Sequence, residues 1–297
     1  MEAATSTAAP QVARRARTKR KKAAGPRTPW WMWIAVAAIV VFCLFPFYWL
    51  INISLKTGND LQSSSLIPPH PTLKNYKAIF QNPDFTKALR NSAFIALFTT
   101  VLALTVGSFC AYALARLKIK GKFLILAIVL SISTFPQIAI AAPLFKLWSD
   151  IGLFNTWTGL IIPYLTFALP LSIYILVSFF KEIPKDLEEA ALVDGATHFQ
   201  AFRKVVVPLA APGLATAGIL TFIGAWNEFL LAVTLTSSSK ARTVPAAIAF
   251  FTGATEHEVP YGSISAASVV ISVPLILLVL LFQKRIVAGL TAGAVKG

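Results

Sequence analysis

Long stretches of this chain carry no charge, and they recur at a similar length. Arg27 to Lys56 encloses 28 uncharged residues, Arg90 to Arg116 encloses 25, and Lys122 to Lys146 encloses 23. Asp150 to Lys181 encloses 30 and Glu258 to Lys284 encloses 25, while the 35 residues between Lys204 and Lys240 hold a single charge, Glu228. About 20 apolar residues cross a bilayer as a helix, so each interval accommodates one span. The pattern predicts spans at about 30–54, 91–115, 123–145, 160–180, 213–235 and 261–282. The predicted fold class is an all-α polytopic membrane protein with six transmembrane helices.

Composition supports this reading. Of 297 residues 56% are hydrophobic and 13% charged, where a soluble domain carries about 25% charged residues. A soluble enzyme, a disordered chain and a disulfide scaffold are thereby excluded. Cys43 and Cys110 both fall inside apolar intervals, which argues against a structural disulfide. The net charge of +15 would suit nucleic acid, but its placement points elsewhere. Alternate segments between the spans carry 19 Lys and Arg on one side and 8 on the other. The rich side is expected to be cytoplasmic, with both termini inside. Residues 1–29, with the run from Arg14 to Lys22, read as a disordered basic tail near anionic lipid. The domain reading is this tail, a membrane domain over 30–283 and a cytoplasmic tail over 284–297. The first span is too long for the apolar region of a signal peptide, and is expected to stay attached as an anchor.

Prolines punctuate the spans: Pro46 in the first, Pro136 and Pro143 in the third, Pro163 and Pro170 in the fourth, Pro274 in the sixth. A kink is expected at Pro46, whose missing N–H frees a carbonyl one turn earlier; the other prolines suit helices that bend around a pathway, though prolines also occur in rigid bundles. In the second span Gly107, Ala111 and Ala115 stand four apart, a stripe read as close helix packing.

Catalytic chemistry lacks residues. His70, His198 and His257 fall in three different loops and share no metal-ligand spacing. Neither a nucleophile elbow nor a phosphate-binding G-x-x-x-x-G-K-[ST] loop is present. No metal or cofactor is expected on this chain, and no enzyme activity.

The informative segment is 181–212, between the fourth and fifth spans. Pro184 suits the first position of a helix, with Asp186, Glu188 and Glu189 in its early turns. Asp194-Gly195 reads as its stop, Gly195 being free to turn left-handed. A second helix is expected over about 196–206, then Pro208 and Pro212 lead into the fifth span. Small Ala190 and Ala191 beside acidic Glu189 make a knob suited to the groove of a cytoplasmic partner.

Glu189-Ala190-Ala191, three residues, Gly195, nine residues, then Val205-Val206-Val207-Pro208 resembles the EAA loop of ABC-importer permeases. Valines replace the isoleucine and leucine of the family pattern. Asn75-Tyr76, Asn91-Ser92, Ala111-Tyr112-Ala113-Leu114-Ala115-Arg116, Trp226-Asn227-Glu228-Phe229 and the segment from Gly289 to Gly297 resemble the carbohydrate branch of that family, the maltose- and trehalose-type permeases.

The resemblance implies a type I importer permease fold. It also implies a second homologous permease subunit, a dimer of ATPase subunits that hold ATP and magnesium, and an extracytoplasmic sugar-binding protein. Glu189, Ala190, Ala191, Gly195 and Pro208 would couple to the ATPase. Trp226, Asn227 and Glu228 are candidates for the substrate pathway. An acid inside a span must face the bundle or water, and two roles stay open for Glu228: contact with sugar, or holding a neighbouring helix or backbone. The expected function is import of a di- or oligosaccharide such as trehalose or maltose across the cytoplasmic membrane. A related solute such as glycerol phosphate is an alternative, and an ion-coupled secondary transporter a weaker one, since only Glu228 could serve coupling.

Overall fold

The structure, a computed structural model, describes residues 29–251 and 260–292, with side chains as far as Gln283. The expected disordered tail, His257 and the last five residues of the chain lie outside the described residues. All regular elements among the described residues are helical. In order they are α1 (Trp30–Ser54), a 3-10 turn (Gly58–Gln62), α2 (Lys74–Gln81), α3 (Pro83–Arg116), α4 (Lys122–Ser133), α5 (Gln137–Asp150) and α6 (Trp157–Glu182). Then follow α7 (Lys185–Val193), α8 (His198–Ala201), a π turn (Phe202–Val206), α9 (Val207–Leu209), α10 (Ala211–Trp226), α11 (Leu230–Leu235), α12 (Val244–Ala249) and α13 (Tyr261–Ala292).

The chain divides into two units at Pro46. The first contributes the opening turns of α1, where every side chain from Trp30 to Pro46 is exposed and Trp30, Trp31 and Trp33 stand at the start. Such an apolar surface requires lipid or another subunit against it. Pro46 lies within an uninterrupted α1. The second unit, from Phe47 onward, contains the helical bundle.

Spans one, two, four and six are each one long helix: α1, α3, α6 and α13. The other two are interrupted. The third is the pair α4 and α5, bent by 82° at the break. Pro136 lacks an N–H and disfavours helical backbone at Phe135. The N–H groups of Thr134 and Phe135 turn back to the Ser131 and Ile132 carbonyls at 3.2 Å each, closing α4. Pro143 sits inside α5 without breaking it. The fifth span stops at Trp226 and resumes as α11 at Leu230. Before it, the segment His198–Leu209 meets α10 at 75°. At the far end, α13 continues to Ala292, well into the expected tail.

In lipid there is no hydrophobic force pressing helices together, so close packing and polar contacts hold the bundle. Gly107 admits α6 so closely that a methyl there would lie 3.4 Å from Ser172 Cβ, and Ala111 is fully buried. The stripe expected to pack does so. Ser172 and Thr221 hydroxyls meet at 2.8 Å, tying α6 to α10. Gly213 is pressed against the Phe179 ring, with Cγ 2.3 Å from where a methyl would stand. Cys43 and Cys110 are free and exposed.

Candidate functional site: a knob, a cavity and an outer rim

The segment between α6 and α10 folds as a helical hairpin. Pro184 caps α7 from the position before its first residue, one earlier than expected, and Asp186 and Glu188 fill the first turn. The helix ends in a Schellman arrangement: Ala196 N–H donates to the Ala191 carbonyl at 3.0 Å and Gly195 N–H to that of Leu192 at 3.1 Å. This requires the left-handed backbone found at Gly195, whose φ is +86°. The chain re-enters helix through a capping box, in which Gln200 N–H donates to Thr197 Oγ1 and Thr197 N–H to Gln200 Oε1. It then widens into the π turn before Pro208.

Four of the five expected coupling residues are thereby placed around the hairpin tip. Ala190, Ala191 and Pro208 line a shallow groove with Leu187, Lys204 and Leu209, and Gly195 makes the turn beside it. Glu189 is exposed on the neighbouring face, next to Lys185 and His198. Val193 is 87% exposed and Leu187 46%.

The neighbouring acid, Glu188, read from the sequence only as an early-turn acid of the helix, turns inward. Its carboxylate accepts a hydrogen bond from the Tyr112 hydroxyl and lies 3.3 Å from Arg116 Nε. Arg116 Nη2 also donates to the Ile183 carbonyl at 2.8 Å. Tyr112 and Arg116 belong to the Ala111–Arg116 stretch already marked by resemblance, which was the available signal.

Within the bundle, a cavity of about 160 Å³ opens among α5, α6, α10 and α11, with Gln137, Tyr164, Phe167, Thr221 and Glu228 on its wall. Glu228 sits in the break between α10 and α11, where its two carboxylate oxygens accept from Leu231 N–H at 2.7 Å and Ala232 N–H at 3.0 Å. Those N–H groups open a helix and have no partner within it, so the carboxylate acts as their cap. Trp226 is buried, its ring stacked on Phe222 at 5.6 Å, and Asn227 is exposed. Of the expected trio, only Glu228 reaches the cavity wall.

A polar rim lies at the opposite end from the hairpin. Asn91 and Ser92, buried at the start of the span, hold the 239–244 segment: Asn91 Nδ2 donates to the carbonyls of Ser239 and Arg242 at 3.0 Å, and Val244 N–H donates to Ser92 Oγ at 2.8 Å. Asn155, with a φ of +55°, accepts from Ser237 and Ser238 N–H and donates to Ser238 Oγ at 2.8 Å. On the 54–77 loop, buried Lys56 donates to the Ser63 and Ser65 carbonyls, and Asn75 to those of Ser54 and Lys56. Among the described residues no cluster of His, Cys, Asp or Glu could hold a metal ion.

Comparisons with known proteins fit this geometry. Residues 88–291 match the family described as binding-protein-dependent transport system inner membrane component. The chain is 54% identical over 266 residues to the trehalose transport system permease protein SugB of Mycobacterium tuberculosis, covering 89% of this chain and 97% of that one. It is 43% identical over 266 residues to the trehalose/maltose transport system permease protein MalG of Thermococcus litoralis, covering 89% and 95%. In fold it is similar to a chain of a bacterial ABC transporter that imports the acidic polysaccharide alginate, with a TM-score of 0.72, 24% identity and coverage of 86% and 95%. The helical bundle, the hairpin between its fourth and fifth spans and relatives this close over most of the chain make it a member of the binding-protein-dependent transport system inner membrane component family.

Proposed function

We propose that this chain is one permease subunit of an ABC importer that carries a di- or oligosaccharide of the trehalose or maltose kind across the cytoplasmic membrane. It pairs with a second homologous permease, and an extracytoplasmic binding protein delivers the sugar to the outer rim. ATP and magnesium are bound by separate ATPase subunits, since this chain has no phosphate-binding loop. The sugar class rests on the relatives' substrates, named as trehalose and maltose.

The observation that carries the reading is the hairpin tip. An exposed acid stands beside exposed Leu187, Ala190 and Val193 on a rigid pair of helices at the charge-rich side of the bundle. Apolar side chains left uncovered in water call for a partner. Glu189, Ala190, Ala191, Gly195 and Pro208 are assigned to ATPase docking. ATP binding and release then bias a rigid-body switch between inward- and outward-open arrangements. Trp226 and Glu228 shape the pathway by packing and by capping α11, and Asn227 is the member of that trio left exposed for sugar. Both termini lie in the cytoplasm.

Co-expression with the ATPase subunits and the second permease tests this. The purified complex should hydrolyse ATP faster with loaded binding protein, with one sugar class most effective. Glu189→Lys should lower ATPase retention. Robust hydrolysis by the isolated, contaminant-free chain would sink the reading.

A further inference from the structure

We infer that Glu188, Arg116 and Tyr112 form a latch that fixes the docking hairpin to the cytoplasmic end of α3, making them positioning residues for the transport switch. This rests on the docking reading of the hairpin and adds how a push on it reaches the spans.

The latch joins three elements at one point. Arg116 ends α3, Ile183 closes α6 and Glu188 lies in the first turn of α7. The Arg116 side chain is 5% exposed and that of Glu188 11%, so their attraction is poorly screened by water. At 3.3 Å the pair is in ionic contact, and Arg116 Nη2 donates to the Ile183 carbonyl at 2.8 Å. Tyr112, one turn earlier on α3, supplies a hydroxyl to the other carboxylate oxygen.

A second set of contacts holds the other limb of the hairpin to the same helix. Phe202, in the π turn, lies 4.8 Å from the Tyr112 ring and 5.3 Å from that of Phe109, while Phe199 stacks on Phe109 at 6.5 Å. Both limbs therefore rest on α3, one by charge and one by aromatic packing. α3 in turn packs closely along α6, where Gly107 meets Ser172 and Ile173, and along α10, where Gly218 meets Leu104. A displacement of the hairpin is thus delivered to three spans together. Polar contacts have preferred directions that apolar packing lacks, so the charged limb sets the register while the aromatic limb permits sliding.

The division of labour between adjacent acids follows. Glu189 faces outward to the partner, and Glu188, one residue earlier and about 100° round the helix, faces inward to α3.

The test uses the complete complex in proteoliposomes with loaded binding protein, reading sugar imported per ATP hydrolysed. Glu188→Gln removes the charge and keeps an acceptor for Tyr112. The complex should still assemble, and the ratio should fall by about tenfold, within the usual range of coupling between two sites. The exchanged pair Arg116→Glu with Glu188→Arg should recover part of that loss, which a mere gap in packing would not allow. A wild-type ratio for Glu188→Gln in assembled complex overturns the latch. Where that variant fails to assemble, Tyr112→Phe decides, since it removes one hydroxyl and no charge: a lowered ratio supports the latch and an unchanged one overturns it. Glu189→Lys separates the two ideas. If it releases the ATPase while Glu188→Gln leaves the ratio intact, the latch falls and docking stands. If it releases nothing, the docking reading fails.

Discussion

The side-chain amide of Asn91 donates to the carbonyl of Arg242 at 3.0 Å, closing a loop of 151 residues. The same nitrogen is 3.0 Å from the Ser239 carbonyl and 3.3 Å from that of Lys240. Its oxygen accepts from Trp157 Nε1 at 3.1 Å. An amide has two hydrogens for these three carbonyls, so the bonds are shared between them. One fully buried side chain thus joins α3 and the start of α6 to the segment leading into α12.

Asn91→Leu should therefore loosen the outer rim, taking the donor from the Ser239 and Arg242 carbonyls at a cost of about 1–3 kcal/mol, while the Trp157 indole keeps the Lys240 carbonyl at 3.2 Å. Thermal unfolding of the purified complex should shift down, and limited proteolysis should increase within 236–244. Asn91→Asp should be worse, because it sets a negative charge against carbonyl oxygens. An unchanged melting temperature for Asn91→Leu would show that the segment is held by Ser92 and Asn155 without it.

Gly213→Ala places a methyl 2.3 Å from Phe179 Cγ, 2.6 Å from Cδ2 and 2.8 Å from Cβ, so the ring or the helix must move. The expected cost is about 1–3 kcal/mol of overpacking. Phe179→Leu should be mild alone and should restore much of what Gly213→Ala loses. Additive effects in this double-mutant cycle would mean that the close approach is absent in the membrane.

Removing the cap on α11 is a separate test. Glu228→Ala should cost about 0.5–2 kcal/mol, the usual range for a lost N-terminal cap, and Glu228→Gln less, because its carbonyl oxygen can still accept. Uptake of every sugar should drop by the same factor. A drop that differs by an order of magnitude between sugars would return Glu228 to substrate contact.

Topology is testable in a background without Cys43 and Cys110. A cysteine at position 20 or 290 should react with impermeant reagents only after the membrane is opened. One at Ser64, exposed in the 54–77 loop, should react from outside once any outer envelope is permeabilised. Labelling of position 20 in intact cells would reverse the orientation drawn from the charge asymmetry.

Local signals carry much of this molecule. Charge-free intervals reveal spans because an unpaired charge in lipid is costly wherever it falls. The stop at Gly195 is legible because only a residue without Cβ turns left-handed cheaply. Pro136 marks a bend for an equally local reason, although its 82° is a property of the packed bundle. The break at Asn227 is different. Nothing in Trp226-Asn227-Glu228-Phe229 forbids a continuous helix, and the chain stops there because Glu228 finds the N–H groups of Leu231 and Ala232.

What the sequence alone determined is the class of molecule, the number of apolar segments and the hairpin between the fourth and fifth, since each depends on residues within about a turn or a span of one another. Only the tertiary structure decided which of two adjacent acids faces α3, or that Asn91 would gather carbonyls from residues 239–242. Those choices depend on partners 76 and about 150 positions away, and a buried polar group takes whichever partner the packed helices bring within hydrogen-bonding distance.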